Sequence, residues 1–517
     1  MNASADKPKF FQRGLAILIG FVLVKLLIHL YTNAFASYGI FRDELYYIAC
    51  SNRLDFGYVD QPPLSLFILA ISRLVFGDSL FALRLLPAIA GALTVFITGL
   101  MVRKMGGGKL AIAIACLALI AAPIHLGMNT FYSMNCFDIL FWTLGAYILL
   151  LLIKEQNSKL WIALGLVIGV GLLNKIGMLW FGFGLVVAML LTSQRKYFST
   201  KWPYLAAFIA FFIFLPFIIW NFVHDFAHLE FIRNATARKY SSLTPIDFIL
   251  GQIIIQNPAT LPIWLAGLYY FFFDRDGKTY RSLGIIYIAV FLILIINIHS
   301  KAEYLAPAYP MLFAAGGIMM AKLSQKRYWI WIKYAVPTVI IVGGIFLAPL
   351  ALPILPVETY IKYTKSIGFK PTTAEAKELS ELPQFYADMF GWENMAKTIS
   401  KVYDSIPQQE KSKTVVYAQN YGEAGAIEYY GREYDLPPVI STHNNYWLWG
   451  YGSDDWQTFI VIGGDKDDHL NACEQVEQAA IIRCDYCMPY ENNLPVYICR
   501  KLKRKLSENW NSMKNYN

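Results

Sequence analysis

Phe41-Arg42-Asp43-Glu44-Leu45 and, shortly after, Tyr58-Val59-Asp60-Gln61-Pro62-Pro63-Leu64 place three carboxylates directly beyond the first long apolar segment. A carboxylate at the edge of a lipid phase can take the proton of an attacking hydroxyl, the task of a general base. Asp43 and Glu44 are the candidates for that task. The plain alternative is that Asp43 caps a short helix running through Leu45 to Cys50. Asp60 stands just before Pro62-Pro63, which stiffen the chain and hold the acid in a defined place. Two rigid acids on one loop also suit a divalent cation, so a metal stays open as a cofactor beside the reading of a solvated turn.

Cations gather at further points. Trp220-Asn221-Phe222-Val223-His224-Asp225-Phe226-Ala227-His228 leads on to Arg233, Arg238 and Lys239. His224 and His228 have the spacing of the zinc-protease pattern His-Glu-x-x-His, but Asp225 is one methylene shorter than the required Glu. Binding a carbonyl or a polar substrate is the commoner use of such histidines. Asn174-Lys175 divides the apolar run 160 to 192, which puts Lys175 at the tip of a helical hairpin, and Lys301 with Tyr304 lies between two later apolar segments. Arg84 and Asp138 fall at the ends of theirs. Cations so placed can meet a phosphate; snorkelling or structural pairing is the alternative. With no P-loop or dinucleotide fingerprint, the set suggests a lipid phosphate rather than a soluble nucleotide.

The elements that must position these groups follow from composition. The 517 residues are 56% hydrophobic and 16% charged, more apolar surface than a water-soluble core of ordinary proportions hides. Stretches of about 20 apolar residues, enough to cross a bilayer, recur from residue 14 to about residue 350. The chain therefore reads as a polytopic α-helical membrane protein of about eleven spans. The net charge of +9 excludes little by itself, but its distribution argues against nucleic acid as a partner. Lys and Arg cluster in short links, at Lys7/Lys9/Arg13, Arg103/Lys104/Lys109, Lys154/Lys159, Arg195/Lys196/Lys201, Arg275/Lys278/Arg281 and Lys322/Lys326/Arg327/Lys333, which read as cytoplasmic. Residues 64 to 76 are apolar but short and interrupted by Arg73, so they are expected to lie on the membrane. The N-terminus is then cytoplasmic, and loops 33 to 81, 126 to 135, 223 to 256 and 299 to 303 lie outside. Ala34-Phe35-Ala36 looks like a signal-peptidase site, yet the apolar core before it is longer than usual, which favours an uncleaved anchor.

Beyond Pro353 and Pro356 the apolar runs stop. Residues 1 to 355 form the expected membrane domain and residues 356 to 517 a soluble, extracytoplasmic α/β domain. Its strands are expected at Thr414–Ala418, Phe459–Ile462 and Val496–Ile498. Cys473, Cys484, Cys487 and Cys499 lie close together there and read as disulfide candidates, ahead of half a zinc site at Cys484-Asp485-Tyr486-Cys487.

Taken together, Arg42-Asp43-Glu44, Tyr58-x-Asp60-x-Pro62-Pro63-Leu64, Arg84-Leu85-Leu86-Pro87, Leu173-Asn174-Lys175, Trp220-Asn221 with His224, and Lys301-x-x-Tyr304-x-x-Pro307-x-x-Pro310 resemble the GT-C glycosyltransferases of the glycosyltransferase 39 type. These are relatives of protein O-mannosyltransferases and the lipid A aminoarabinose transferase. Asn420-Tyr421-Gly422-Glu423-Ala424 and His443-Asn444-Asn445-Tyr446-Trp447 extend the resemblance into the soluble domain of bacterial members. The resemblance implies an integral enzyme of the bacterial plasma (inner) membrane. It would move a sugar from a polyprenyl-phosphate donor to a glycan, lipid or protein acceptor on the outer face, with inversion and Asp43 as base. It further implies Arg84, Lys175, Arg238, Lys301 and Tyr304 as donor-phosphate contacts, and Asp60, Gln61, His224, His228 and Asp138 as acceptor or metal candidates. Gln61 departs from the pattern, since members often carry a basic or imidazole side chain there. A transporter or flippase of lipid-linked sugars is the competing reading. It would place its polar residues near the bilayer midplane, whereas here they gather toward one surface.

Overall fold

The computed structural model describes residues 6–371, 375 and 377–517; the side chains of Lys7, Lys9 and Arg13 lie outside the described residues. The chain divides into two compact units. The first comprises residues up to Ala36, Phe76–Ile219 and Ser242–Ile354; the second comprises Ser37–Val75, Trp220–Ser241 and Leu355–Asn517. The longest segment of the second unit starts at Leu355, and the unit also takes in Ser37–Val75 and Trp220–Ser241 from the apolar part of the chain.

The first unit is helical because its sequence is a succession of long apolar runs. Among the described residues, seven helices are long and apolar enough to cross a bilayer, or nine if the bent pairs Met178–Leu191 with Ser193–Ser199 and Pro245–Ile255 with Pro258–Phe272 each count as one span. The shorter apolar helices Leu64–Phe76, Lys109–Ile120 and Leu160–Asn174 stay below that length, so the described residues give seven to nine spans where about eleven were expected. Small residues let these helices approach closely, as apolar interfaces in lipid require. In the helix Tyr309–Leu323, a side chain at Gly316 would strike Ile263 and one at Gly317 would strike Ala111 and Ala115; on the facing helix, one at Gly267 would strike Leu312. The basic links meet at one end of this unit. Lys104 pairs with Glu155 at 2.9 Å, Lys196 donates to Gln156 at 2.5 Å, and Lys322 reaches Asp274 at 2.7 Å and Asp276 at 2.6 Å.

In the second unit, the helix Leu64–Phe76 buries Ser65, Leu66, Leu69 and Ser72 while Ile71, Leu74 and Val75 face outward. At 13 residues and about 1.5 Å per residue it falls short of a hydrocarbon core of roughly 30 Å. Its outward apolar face suits a helix lying on lipid. Arg73 donates to Ser51 and Asn52, each at 2.7 Å, so this cation serves packing.

The C-terminal part builds a five-stranded sheet, β1 Thr414–Ala418, β2 Val439–Ser441, β3 Thr458–Ile462, β4 Cys473–Ile482 and β5 Leu494–Leu502, in the order β2-β1-β3-β5-β4. β1 is parallel to β2 and β3, and β5 runs antiparallel to both β3 and β4. β1, β3 and the centre of β5 coincide with the expected strands. β2 is only three residues long, and β4 is a mostly exposed edge rich in Glu and Gln, so neither carries an apolar run. The helix Trp392–Ser405 buries Trp392, Met395, Ala396, Ile399 and Val402, the spacing of one helical face.

Candidate active site

The site residues divide between the units. In the second unit, Asp43 lies in the first turn of the helix Arg42–Ser51. Its neighbour Glu44 is fully buried, and its Oε2 accepts the Phe41 backbone N–H at 2.9 Å. The expected pair of catalytic acids is therefore split: Glu44 closes the helix start, since a third-position acid can reach back to the free N–H groups. Asp43 is left 40% exposed.

Asp43 is held from the C-terminal part of the same unit. The Tyr421 hydroxyl donates to Asp43 Oδ1 at 2.8 Å, and Arg42 Nε lies 3.8 Å from the same oxygen. Arg42, buried, donates to the hydroxyls of Tyr421 at 2.9 Å and Tyr490 at 2.5 Å, with Asp388 Oδ2 at 4.0 Å. The helix Tyr421–Tyr430 comes this close because Gly422 and Gly425 leave room: a side chain at Gly422 would meet Arg42, and one at Gly425 would meet Leu45. Asn420 starts that helix by accepting the N–H groups of Gly422 and Glu423 at 2.9 and 3.0 Å, while Glu423 accepts that of Gln419 at 2.7 Å. The Asn420-Tyr421-Gly422-Glu423-Ala424 motif is thus a reciprocal cap that aims Tyr421 at Asp43. This contact joins residues 378 positions apart, so it was invisible to local reading; the capped Asn-x-x-Glu followed by small residues was its only signal.

Asp60 sits in the same unit. The Tyr46 hydroxyl lies 3.1 Å from Asp60 Oδ1, and Asn445 Oδ1 accepts the Val59 N–H at 2.8 Å. Burial pushes the Asp60 carboxyl up to about 7, and the nearby Asp43 charge pushes the same way, against the hydrogen bond from Tyr46 and the charge of Lys239. Asp388 is likewise raised to about 6, chiefly by burial, with Arg42 opposing. His443 accepts the Tyr421 N–H at Nδ1 (3.3 Å) and has Nε2 3.1 Å from the Asn517 carbonyl. Burial holds it down near 3, so it stands neutral.

His224 and His228 do not share a helical face. Asp225 and Phe226 adopt left-handed conformations, with φ of 52° and 58°, and break the helix between them. His224 stacks on Trp220 and faces its carbonyl at 2.8 Å, whereas His228 Nδ1 faces the Val59 carbonyl at 2.9 Å. The protease-like spacing is therefore not a protease-like geometry. Gln61 is buried, and its backbone carbonyl accepts the Tyr58 N–H at 3.1 Å. Among the described residues no three His, Cys, Asp or Glu side chains converge as a metal cage would require. Arg238 is exposed, whereas the adjacent Lys239 lies 5.8 Å from the Tyr421 ring centroid and 3.5 Å from Glu375.

In the first unit, Lys175 occupies the break between the helices Leu160–Asn174 and Met178–Leu191. It donates to Asn135 at 2.7 Å, lies 3.6 Å from buried Asp138, and sits 5.3 Å from the Tyr304 ring centroid. Lys301 precedes the turn Ala302–Ala308, its carbonyl accepting the Tyr304 N–H at 3.1 Å. Arg84 is fully buried at the start of Leu85–Lys104, where its carbonyl accepts from Asn33 at 3.2 Å. Lys175, Asp138 and Tyr304 are therefore brought together.

The four C-terminal cysteines fall into two pairs, Cys473 with Cys499 and Cys484 with Cys487. All seven cysteines of the chain are free thiols, and these pairs are joined here by hydrogen bonds. The bond from Cys487 draws the Cys484 thiol down to about 7.

Residues 60–220 match the family model of dolichyl-phosphate-mannose-protein mannosyltransferase. The undecaprenyl phosphate-alpha-4-amino-4-deoxy-L-arabinose arabinosyl transferase of Pseudomonas aeruginosa (strain UCBPP-PA14) is 25% identical over 52% of this chain and 50% of its own length. The lipid A galacturonosyltransferase RgtD of Rhizobium johnstonii is 20% identical over 62% of this chain and 66% of its own. The chain thus spans about half to two thirds of the length of these relatives. The crystal structure of ArnT from Cupriavidus metallidurans bound to undecaprenyl phosphate superposes with a TM-score of 0.60 at 14% identity, covering 93% of this chain and 97% of that one. The chain has the GT-C fold. The mycobacterial arabinofuranosyltransferase AftD shares it at a TM-score of 0.54 and 11% identity, over 94% of this chain and 40% of that one. The resemblance carried by the Arg42-Asp43-Glu44 and Asp60-x-Pro62-Pro63 motifs is therefore matched by the GT-C fold over nearly the whole chain, a multi-pass helical membrane protein.

Proposed function

We propose that this GT-C protein is a membrane glycosyltransferase that moves a sugar from a polyprenyl-phosphate carrier to a hydroxyl of a glycolipid acceptor on the extracytoplasmic face of the bacterial inner membrane. The observation that carries the reading is Asp43: an accessible carboxylate with one oxygen held by the Tyr421 hydroxyl, in surroundings otherwise buried. In this reading the free oxygen takes the acceptor proton as the acceptor oxygen attacks the anomeric carbon from the face opposite the phosphate. The C–O bond to the phosphate breaks in the same step, and the configuration inverts. Tyr421 and Arg42 fix the direction of the carboxylate, which shortens the search for the reactive geometry. Glu44 acts by holding the helix that carries Asp43.

Lys239, beside Tyr421, replaces Arg238 as the cation of this unit that we assign to the leaving phosphate, where growing negative charge rewards a fixed positive partner. Lys175 and Tyr304, with Arg84 and Lys301, are proposed separately as donor contacts of the membrane unit. Residues 1–355 are proposed as the membrane domain and 356–517 as the extracytoplasmic one, with the N-terminus cytoplasmic. Oxidation in that compartment would join Cys473 to Cys499 and Cys484 to Cys487. The names of the relatives support the substrate class: undecaprenyl phosphate for the donor and lipid A for the acceptor.

The test is transfer from a panel of radiolabelled undecaprenyl-phosphate sugars to lipid A in proteoliposomes. Label in lipid A that depends on the protein is expected. Movement of labelled carrier lipid across the vesicle without transfer would instead establish the flippase reading.

A further inference from the structure

At the end of the membrane unit that carries the basic links, a cavity of about 630 Å³ opens between the close of the helix Met134–Glu155, the turn Ser193–Ser199 and the start of Arg281–Ile296. Its wall presents Arg195, Lys196, Lys278 and Arg281 and not one Asp or Glu. The acids nearby in sequence are engaged elsewhere: Glu155 pairs with Lys104, and Asp274 and Asp276 pair with Lys322. Among the described residues none of the four cations has a carboxylate partner. Four like charges around one cavity repel, and an anion seated among them removes that cost.

Two further features define the anion. Ser193 and Thr279, both exposed, line the same cavity, so the site also offers acceptors for a hydroxyl. The rim is apolar: Ile153 and Leu191 line it, and Leu191 and the adjoining Leu190 are 68% and 57% exposed, as side chains facing lipid tails are. Cations, a hydroxyl acceptor and an apolar approach match a phosphodiester that bears a hydroxylated headgroup and acyl chains.

We propose that this cavity binds the headgroup of an anionic phospholipid, its phosphate among Arg195, Lys278 and Arg281 and its headgroup hydroxyl toward Ser193 and Thr279. The site is distinct from the Asp43 cluster and does not depend on the proposed reaction. Full-length protein in nanodiscs of phosphatidylethanolamine with a minority of phosphatidylglycerol is released into native mass spectrometry, and retained lipid is counted. Wild type is expected to retain phosphatidylglycerol in preference to phosphatidylethanolamine and to keep it against inorganic phosphate. Arg195→Gln with Arg281→Gln should reduce retention about 5-fold per cation, roughly 25-fold for the pair. Lys326→Gln with Arg327→Gln, equal in charge change but outside the cavity, should keep it. Equal retention of both lipids by wild type overturns the proposal whether or not the variants fold, as does unchanged retention in the Arg195/Arg281 pair. Displacement by inorganic phosphate would assign the cavity to a free phosphate and overturn the lipid reading.

Discussion

Asp43 and Asp138 each stand beside a cation, yet their surroundings separate their roles. Asp138, with a 6% exposed side chain, lies 3.6 Å from Lys175, whose other partner is Asn135 at 2.7 Å. Asp43, 40% exposed, takes its short contact from a neutral phenol, and Arg42 stays 3.8 Å away, bonded instead to Tyr421 and Tyr490. A buried carboxylate locked to a cation holds structure together, because either charge alone in a dry site is costly. A carboxylate oriented by a hydroxyl and still open to solvent can exchange a proton with a substrate. Position after an apolar segment therefore does not by itself mark a candidate base; accessibility and the neutrality of its main partner are what single out Asp43 for the proposed role.

The largest expected effect breaks this contrast at the base. Asp43→Asn should lower kcat by about 10²- to 10⁴-fold with KM for the donor nearly unchanged, as steady-state transfer at equal folded protein will read. Lys175→Met tests the other half. It leaves Asp138 buried without its cation, so unfolding should become easier by about 3–5 kcal/mol, seen as a large fall in Tm in detergent. Lys175→Met with Asp138→Leu should recover much of that loss. Gly425→Val sharpens the account of how Asp43 is aimed: the new side chain meets Leu45, and overpacking of this kind costs about 1–3 kcal/mol, so both Tm and kcat should fall.

Tyr421→Phe removes two hydrogen bonds to charged groups, the one given to Asp43 and the one taken from Arg42. It should reduce kcat about 10-fold and lower Tm, each such bond contributing roughly 1.5–3 kcal/mol.

The smallest effect is on pH. Asp60, Asp388 and Glu491 are all raised by burial, to about 7, 6 and 7. In the unfolded chain these groups release their protons near 4, so between there and their folded values the folded state binds more protons. Their contribution to stability is full at low pH and is lost as pH rises through 6 and 7. Tm should therefore be higher at pH 5 than at pH 8, and Asp60→Asn should flatten that slope.

Much of this was legible in the residues, for identifiable reasons. Helices of the membrane unit follow apolar runs, the short apolar helix Leu64–Phe76 follows from its length and Arg73, and the hairpin break at Lys175 follows from two polar residues in an apolar stretch. What local reading missed depends on distance or on backbone handedness. The Tyr421–Asp43 contact spans most of the chain, strands β2 and β4 lack an apolar pattern, and the His224/His228 spacing is undone by two left-handed residues. The assignment of capping to Glu44 rather than Asp43 turned on which of two adjacent acids points back along the helix.

The most direct test of the central claim is single-turnover transfer from a labelled undecaprenyl-phosphate sugar by wild type, Asp43→Asn and Asp138→Asn, with donor binding measured on the same preparations. Asp43→Asn is expected to bind donor as wild type does yet to transfer at least about 100-fold more slowly, while folded Asp138→Asn keeps a transfer rate near that of wild type once donor is bound. Transfer at the wild-type rate by Asp43→Asn, or a chemical step lost only in Asp138→Asn, would contradict it.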